Sequence, residues 1–176
     1  MEVKDIFTYL SKKVSDIELL DDNTLKVNYS KFLDLAKELN LDKRLSFDYL
    51  MCITSYDTGD GSHFGCAYNF YSNDHKHYLE VKVEVDSESE IPSISSIWNT
   101  ANWHEREVWE MFGISFLGHP NLTHLYLPSD FEGNPLRKDY PLLARRAKPW
   151  PGIVDVELMP GEDADEADDP DLGEDL

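Results

Sequence analysis

Hydrophobic residues recur at intervals of three and four near the start of the chain, which predicts an amphipathic helix over residues 2–14. The residues on this face are Val3, Ile6, Phe7, Leu10 and Val14. Residues 16–20 and 24–29 flank the turn-forming sequence Asp21-Asp22-Asn23 and are predicted to form a hairpin. Ser30 is placed to cap a second helix. The apolar face of that helix consists of Phe32, Leu33, Leu35, Ala36 and Leu39.

Three further strands are predicted over residues 47–56, 63–71 and 78–85. The last of them alternates strictly, with Leu79, Val81, Val83 and Val85 on one side and Glu80, Lys82 and Glu84 on the other. Such alternation is typical of a strand with one buried and one solvated face. The element order is helix, two strands, helix, three strands, helix. It predicts an α+β domain with a mixed sheet of about five strands and helices on one face.

A final helix is predicted to begin at Asn102, because Glu105 follows three residues later in a pattern that resembles a capping box. Gly113 is placed to end this helix. Residues 92–98, which precede it, are predicted to form a short turn or loop. The α+β domain is therefore expected to span residues 1–113.

The chain that begins at Ile114 is apolar and aromatic but follows neither a helical nor a strand period. It contains Pro120, Pro128, Pro135, Pro141, Pro149 and Pro151. Nearly forty residues of irregular apolar chain are unusual in a self-contained domain and would form a large exposed patch. Residues 114–161 are therefore predicted to form an extended arm that wraps around a partner.

The acidic residues are concentrated at the end of the chain. The formal net charge is −19, and eleven of the 35 acidic residues lie between Asp155 and Leu176, where no basic residue occurs. Such a block cannot bury enough surface to offset the entropy of ordering, so residues 162–176 are predicted to be disordered. The acidic balance argues against nucleic acid and against direct docking on an anionic membrane.

The cysteines and the apolar runs bring no cofactor or membrane signal. Cys52 and Cys66 lack the C-x-x-C spacing of iron–sulfur and zinc sites, and free buried thiols are the favoured interpretation. Residues 1–10 do not resemble a signal peptide. No stretch approaches the roughly 20 apolar residues of a membrane helix. We therefore expect a soluble cytoplasmic protein that reaches a membrane only through a partner.

A metal site on the last helix is conceivable, because His104, Glu107 and Glu110 are spaced three residues apart. The zinc-protease pattern fails at Val108, where a second histidine would be required. Arg106 stands four residues before Glu110, and an ion pair between them is the favoured alternative. Hydrogen-bonded structural roles are favoured for all the histidines, namely His63, His75, His77, His104, His119 and His124. No glycine-rich phosphate loop or nucleophile motif is present.

Residues 134–141 place two cations and one anion between two prolines that hold the backbone in extended or turn form. Arg145, Arg146 and Lys148 follow. Arginine makes paired contacts to carboxylates, so a basic arm that grips an acidic surface is the favoured interpretation. A solvated loop is the alternative.

Several motifs between about residues 91 and 161 together resemble one family. They are Ile91-Pro92-Ser93, Ala101-Asn102-Trp103, Glu105-Arg106-Glu107, Glu110-Met111-Phe112-Gly113-Ile114, Gly118-His119-Pro120, the segment 135–141 and Lys148-Pro149-Trp150-Pro151-Gly152. This pattern resembles the thirty-kilodalton subunit of the proton-translocating NADH–quinone oxidoreductase, respiratory complex I.

The resemblance implies a non-catalytic structural subunit of the peripheral arm, packed against the subunit that forms the quinone site and close to a subunit that holds an iron–sulfur cluster. It implies no cofactor in this chain, with FMN and iron–sulfur clusters held by partner subunits. The complex would pass electrons from NADH to quinone at the cytoplasmic side of the cell membrane. The family signature implies partner-binding roles for Glu105, Arg106, Glu107, Glu110, His119, Pro120, Pro135, Leu136, Arg137, Lys138, Asp139, Tyr140 and Trp150.

Two residues depart from the family pattern. Thr123 stands where a basic residue is common, and Glu110 replaces the commoner Asp. Two other functions are weighed beside the leading one. One is the equivalent subunit of a membrane-bound hydrogenase or ferredoxin-linked complex, and the other is a metal-dependent hydrolase that uses His104, Glu107 and Glu110.

Overall fold

The computed structural model describes residues 3–60 and 62–141. The described residues up to Tyr140 belong to one compact unit. Three helices are present in this part of the chain: α1 (Val3–Leu10), α2 (Tyr29–Leu41) and α3 (Ala101–Phe112). The strands are β1 (Ile17–Asp21), β2 (Thr24–Asn28), β3 (Tyr49–Asp57), β4 (His63–Ser72), β5 (His77–Asp86), β6 (Glu90–Pro92) and β7 (Ser115–Leu117). The predicted acidic tail, the basic residues after Pro141 and Trp150 lie outside the described residues.

A five-stranded sheet has the order β1-β2-β5-β4-β3. The pair β2 and β5 is parallel, and the other neighbours are antiparallel. The parallel pair arises because α2 and the β3–β4 hairpin separate the two strands along the chain, and a crossover of this kind permits parallel pairing. The predicted α+β fold with a mixed sheet of about five strands is confirmed.

The helices cover one face of this sheet, as predicted. Phe32 of α2 packs against Tyr68 of β4, with 4.3 Å between ring centroids. Ile53 of β3 pairs in register with Tyr68 and lines a groove with Val108 of α3, so α3 lies on the same face. The apolar positions of β5 are at most 3% exposed. On the other face, Lys26 pairs with Glu84 at 2.6 Å.

Two helix starts differ from the prediction. The backbone of Asn28 is extended, and its side chain accepts a 3.0 Å hydrogen bond from the amide of Ser30, so Asn28 and not Ser30 caps α2. The predicted capping box at Asn102 is also wrong. Thr100 precedes α3 without a side-chain cap bond. Glu105 is fully buried and bonds a distant turn instead of the helix start.

A small parallel sheet joins β6 to β7, with Ile91 opposite Phe116. Both residues are at most 3% exposed and belong to the main hydrophobic core, as does Ile114. The first residues of the predicted arm therefore contribute to the core of their own compact unit. Partner wrapping by residues 114–161 stays a prediction.

Cys66 is buried, and Cys52 is partly exposed; both are free thiols. Their strands are neighbours, but Cys66 pairs in register with Ser55 and Cys52 with Asn69. Burial raises the pKa of Cys66 to about 12, so this thiol stays protonated. Within residues 3–60 and 62–141, no helix has the length and apolarity that crossing a membrane requires.

Candidate functional site

Glu105 points from α3 into the core, where it is fully buried. Its carboxylate accepts hydrogen bonds from Ser93 Oγ at 2.5 Å and from the backbone amide of Ile94 at 2.8 Å. Burial raises the pKa of Glu105 to about 7, although the two hydrogen bonds oppose that rise. Cys66 and Tyr68 lie near enough for the charge of Glu105 to raise their pKa values further. Glu105 therefore fixes the 93–94 turn on α3 and titrates near neutral pH.

His119 lies beside Glu105, with Nε2 3.9 Å from a carboxylate oxygen and both side chains inaccessible to solvent. Its Nδ1 accepts a 3.1 Å hydrogen bond from the amide of Asn121. This bond places the ring hydrogen on Nε2, which donates to the carbonyl of Asn102 at 3.1 Å. His119 thus ties the segment that contains Pro120 to the first turn of α3.

Arg106 does not form the predicted ion pair with Glu110. Its guanidinium instead donates to the carbonyl of Thr123 at 2.9 Å, to Thr123 Oγ1 at 2.8 Å and to the carbonyl of His124 at 3.0 Å. These oxygens match the planar fork of donors that arginine presents. The hydroxyl of Thr123, the residue that departs from the family pattern, is therefore used inside the chain.

Glu110 is 1% exposed and holds the next part of the same loop. Its carboxylate accepts from the amides of Leu125 at 3.2 Å, Tyr126 at 3.1 Å and Leu127 at 2.7 Å. His124 Nδ1 lies 3.0 Å from the same group. Burial would raise the pKa of Glu110, but the amides and His124 together hold that pKa below its usual value. Glu110 therefore serves as a buried anion that orders residues 124–127.

Asn134 closes the end of α3. Its side-chain amide donates to the carbonyls of Trp109 at 3.3 Å and Glu110 at 3.0 Å, two groups that the end of a helix leaves without helical partners. Gly113 has φ +77°, and a Cβ there would lie 2.7 Å from Asn134 Oδ1. The left-handed backbone and the close approach both require glycine. The predicted stop at Gly113 is confirmed.

The signature segment 135–141 contacts the β3–β4 hairpin of its own unit. The guanidinium of Arg137 lies 4.5 Å from the ring centroid of Phe64, and its Nε is 3.4 Å from Asp139. The amide of Lys138 donates to Asp57 at 2.9 Å. This contact, with that of Gly59, lowers the pKa of Asp57. Arg137 and Lys138 thus have roles inside the chain, and their contact with a partner stays a prediction.

The remaining residues of this segment extend the contact. The amide of Leu136, next to Pro135, donates to the carbonyl of Met111 at 3.1 Å, while the Leu136 side chain is 56% exposed. The rings of Tyr140 and Phe131 stack with 6.2 Å between centroids. The segment therefore holds its backbone against α3 and leaves an apolar side chain at the surface.

His104 and Glu107 are the predicted site residues that stay accessible on α3. Their side chains are 30% and 44% exposed, and His104 Nδ1 lies 3.9 Å from Glu107. Glu110 faces the 124–127 loop and does not join them. Within the described ranges, no three His, Cys, Asp or Glu side chains are grouped so that they could hold a metal ion. The other histidines make ring-nitrogen hydrogen bonds, as favoured above.

Sequence reasoning missed three residues that organise this site: Ser93, Thr123 and Asn134. Each bonds a charged side chain or a helix end that is at least 12 residues away along the chain. The serine and the asparagine lie in loops, where their residue types are ordinary. The burial of Glu105 and Glu110 in the middle of a helix would have been the signal, because buried carboxylates require polar partners.

Known proteins resemble this chain in both sequence and fold. A family model described as the respiratory-chain NADH dehydrogenase 30 Kd subunit matches residues 25–146. An NADH-quinone oxidoreductase subunit of Chloroherpeton thalassium is 42% identical over 142 residues, which cover 76% of this chain and 59% of that relative. The subunit of the same designation in Rhizobium etli is 35% identical over 119 residues, which cover 67% of this chain and 64% of that relative. The match thus spans less than two thirds of either relative.

A solved structure of the membrane-bound sulfane sulfur reductase, an archaeal respiratory membrane complex, contains a chain of the same fold. The TM-score is 0.68 with 21% sequence identity, over 80% of this chain and 86% of that one. At this identity the likeness concerns the fold alone.

Proposed function

This chain belongs to the family of the respiratory-chain NADH dehydrogenase 30 Kd subunit of complex I, and on that premise we propose that it is a non-catalytic structural subunit of proton-translocating NADH–quinone oxidoreductase. The observation that carries the proposal is the family match over residues 25–146. The proposed role is to hold neighbouring subunits of the peripheral arm in place while electrons pass from NADH to quinone.

The internal contacts of α3 support a structural role. Glu105, Arg106 and Glu110 each bind a different loop segment through buried or partly buried hydrogen bonds. A catalytic acid or base must reach a substrate proton, and these groups are instead engaged by the chain itself. Their arrangement is suited to fixing the shape of a surface.

The proposed partners are other peripheral-arm subunits, chiefly the one that forms the quinone site and one that holds an iron–sulfur cluster. In this proposal FMN and the iron–sulfur clusters belong to partner subunits, and the chain itself carries no cofactor. A net charge of −19 disfavours nucleic acid. We propose that the chain lies at the cytoplasmic side of the cell membrane and contacts that membrane only through the complex.

The alternatives receive less support. The curated relatives described above are named for NADH–quinone oxidoreductase, not for a hydrogenase or a ferredoxin-linked complex. A metal-dependent hydrolase would need Glu110 beside His104 and Glu107, but the Glu110 carboxylate is occupied by the 124–127 loop.

Purification from native membranes tests the proposal. We expect an affinity tag on the full-length chain to recover an assembly that contains the quinone-site and cluster-bearing subunits in equal amounts and has NADH–quinone activity. A tagged chain carrying Glu18→Gln, an exposed residue of β1, serves as the matched control. Recovery of the wild-type chain alone, with the other subunits assembled elsewhere in the same membranes, would contradict the proposal.

A further inference from the structure

Two large aromatic side chains near α3 are unusually exposed. Trp103 is 68% and Tyr126 67% accessible to solvent. Together with Leu125 they line a surface groove of about 460 Å³, here called the Trp103 groove. Exposed aromatic side chains grouped around a groove are typical of surfaces that bind another protein.

Glu107 is the acidic residue of the Trp103 groove, and neither Lys nor Arg lines it within the described chain. A second groove, of about 290 Å³, shares His104 and Glu107 with the first and reaches the exposed Leu136. The carboxylate of Glu107 therefore lies at the junction of two largely apolar grooves. Its neighbouring titratable group on α3 is His104, at 3.9 Å.

The position of Glu107 restricts which partner can cover these grooves. A protein surface that fills them removes water from the carboxylate, and an unpaired buried charge is strongly unfavourable. The partner must therefore supply a positive charge at this point. Arginine fits best, because its guanidinium pairs with a carboxylate and also stacks on aromatic faces such as those of Trp103 and Tyr126.

We propose that the Trp103 groove receives an arginine side chain of a neighbouring subunit, which pairs with Glu107 and packs against Trp103 and Tyr126. This proposal rests on the proposed function, since it requires a stable assembly. The net charge of −19 favours the approach of a positively charged partner surface in the same direction.

A crosslinking experiment on the assembled complex identifies the partner segment. The full-length chain carries the photo-reactive substitution Tyr126→p-benzoylphenylalanine, and membranes that contain the complex are irradiated. We expect crosslinked peptides from one neighbouring subunit, with an arginine within a few residues of the crosslinked position. Crosslinks to a segment without arginine would overturn the proposal.

A charge exchange then tests the pair. Glu107→Arg is expected to lower recovery of the complex at least roughly tenfold, as the loss of a buried ion pair does, while Glu18→Arg on the far edge of the sheet has no effect. Replacing the crosslinked arginine with Glu is expected to restore assembly of the Glu107→Arg chain. The thermal unfolding midpoint of each variant shows that it folds, and Glu107→Gln provides a milder second variant.

The results separate the two proposals. If the wild-type chain assembles and Glu107→Arg and Glu107→Gln assemble equally well, the arginine proposal is wrong and the proposed function stands. If the exchange fails to restore assembly, the pairing is also wrong. If the wild-type chain is in no complex, both proposals fail.

Discussion

The carboxylate of Glu110 accepts a 2.7 Å hydrogen bond from the backbone amide of Leu127, 17 residues later in the chain. The amides of Leu125 and Tyr126 bond to the same carboxylate. One buried side chain thereby determines the path of a loop that has no regular secondary structure of its own. Tyr126, a wall of the Trp103 groove, is positioned by this contact.

Replacing Glu110 with Gln should loosen this loop. The glutamine keeps one acceptor oxygen and turns an NH₂ group toward backbone amides that also donate, so buried donors lose their partner. We expect the free energy of unfolding to fall by about 2 kcal/mol. Chemical denaturation measures the loss, and hydrogen exchange should speed up at residues 125–127. The exposed Glu132→Gln is the control, and equal exchange rates in both variants would refute the assignment.

Glu105 should make the stability of the protein depend on pH near neutrality. Its pKa rises to about 7 in the folded state from an ordinary value of 4.5. The folded chain therefore binds more protons than the unfolded chain between these values, and stability falls as pH rises through this window. The full effect of such a shift is about 3 kcal/mol.

Glu105→Gln removes this titration, because glutamine imitates the protonated acid toward Ser93 and Ile94. We expect the wild type to lose stability relative to Glu105→Gln as the pH is raised from 5 to 8. Unfolding free energies measured across that range provide the test. A constant difference between the two proteins at every pH would show that Glu105 does not titrate there.

Gly113 and Gly118 form a matched pair, with φ of +77° and +80°. Alanine at either site must adopt the left-handed backbone, which costs about 1–2 kcal/mol. Only at Gly113 does the added Cβ also meet Asn134, whereas nothing lies within 4 Å at Gly118. Gly113→Ala should therefore cost about 1 kcal/mol more than Gly118→Ala in thermal or chemical unfolding. Equal losses would show that the Asn134 contact is unimportant.

The main sheet was predictable because its strands are long and strongly patterned. The strict alternation of β5 indicated which face is buried, and the buried residues from Leu79 to Val85 confirm it. The strands β6 and β7 were not predicted, since three residues each contain too few positions to show a period. Their pairing depends on α3, which brings together segments more than 20 residues apart in sequence.

The candidate site was predictable in its location but not in its contacts. The family motifs correctly drew attention to α3 and to the segments after it. Spacing on the helix suggested that Arg106 pairs with Glu110, but loop backbone competes for both groups and offers more hydrogen bonds. Local sequence contains no record of such distant loop contacts, so the residue types alone do not reveal that Glu105, Arg106 and Glu110 bond to their own chain.

The most direct test of a non-catalytic structural role compares the amount of assembled complex with its turnover. Cells that carry Glu110→Gln in place of the wild-type chain should contain less complex in their membranes, because the 124–127 loop is less ordered. We expect the NADH–quinone turnover per assembled complex to equal that of the wild type. Fully assembled complexes at normal abundance, with turnover reduced several-fold, would contradict the proposal and assign this chain a part in the chemistry.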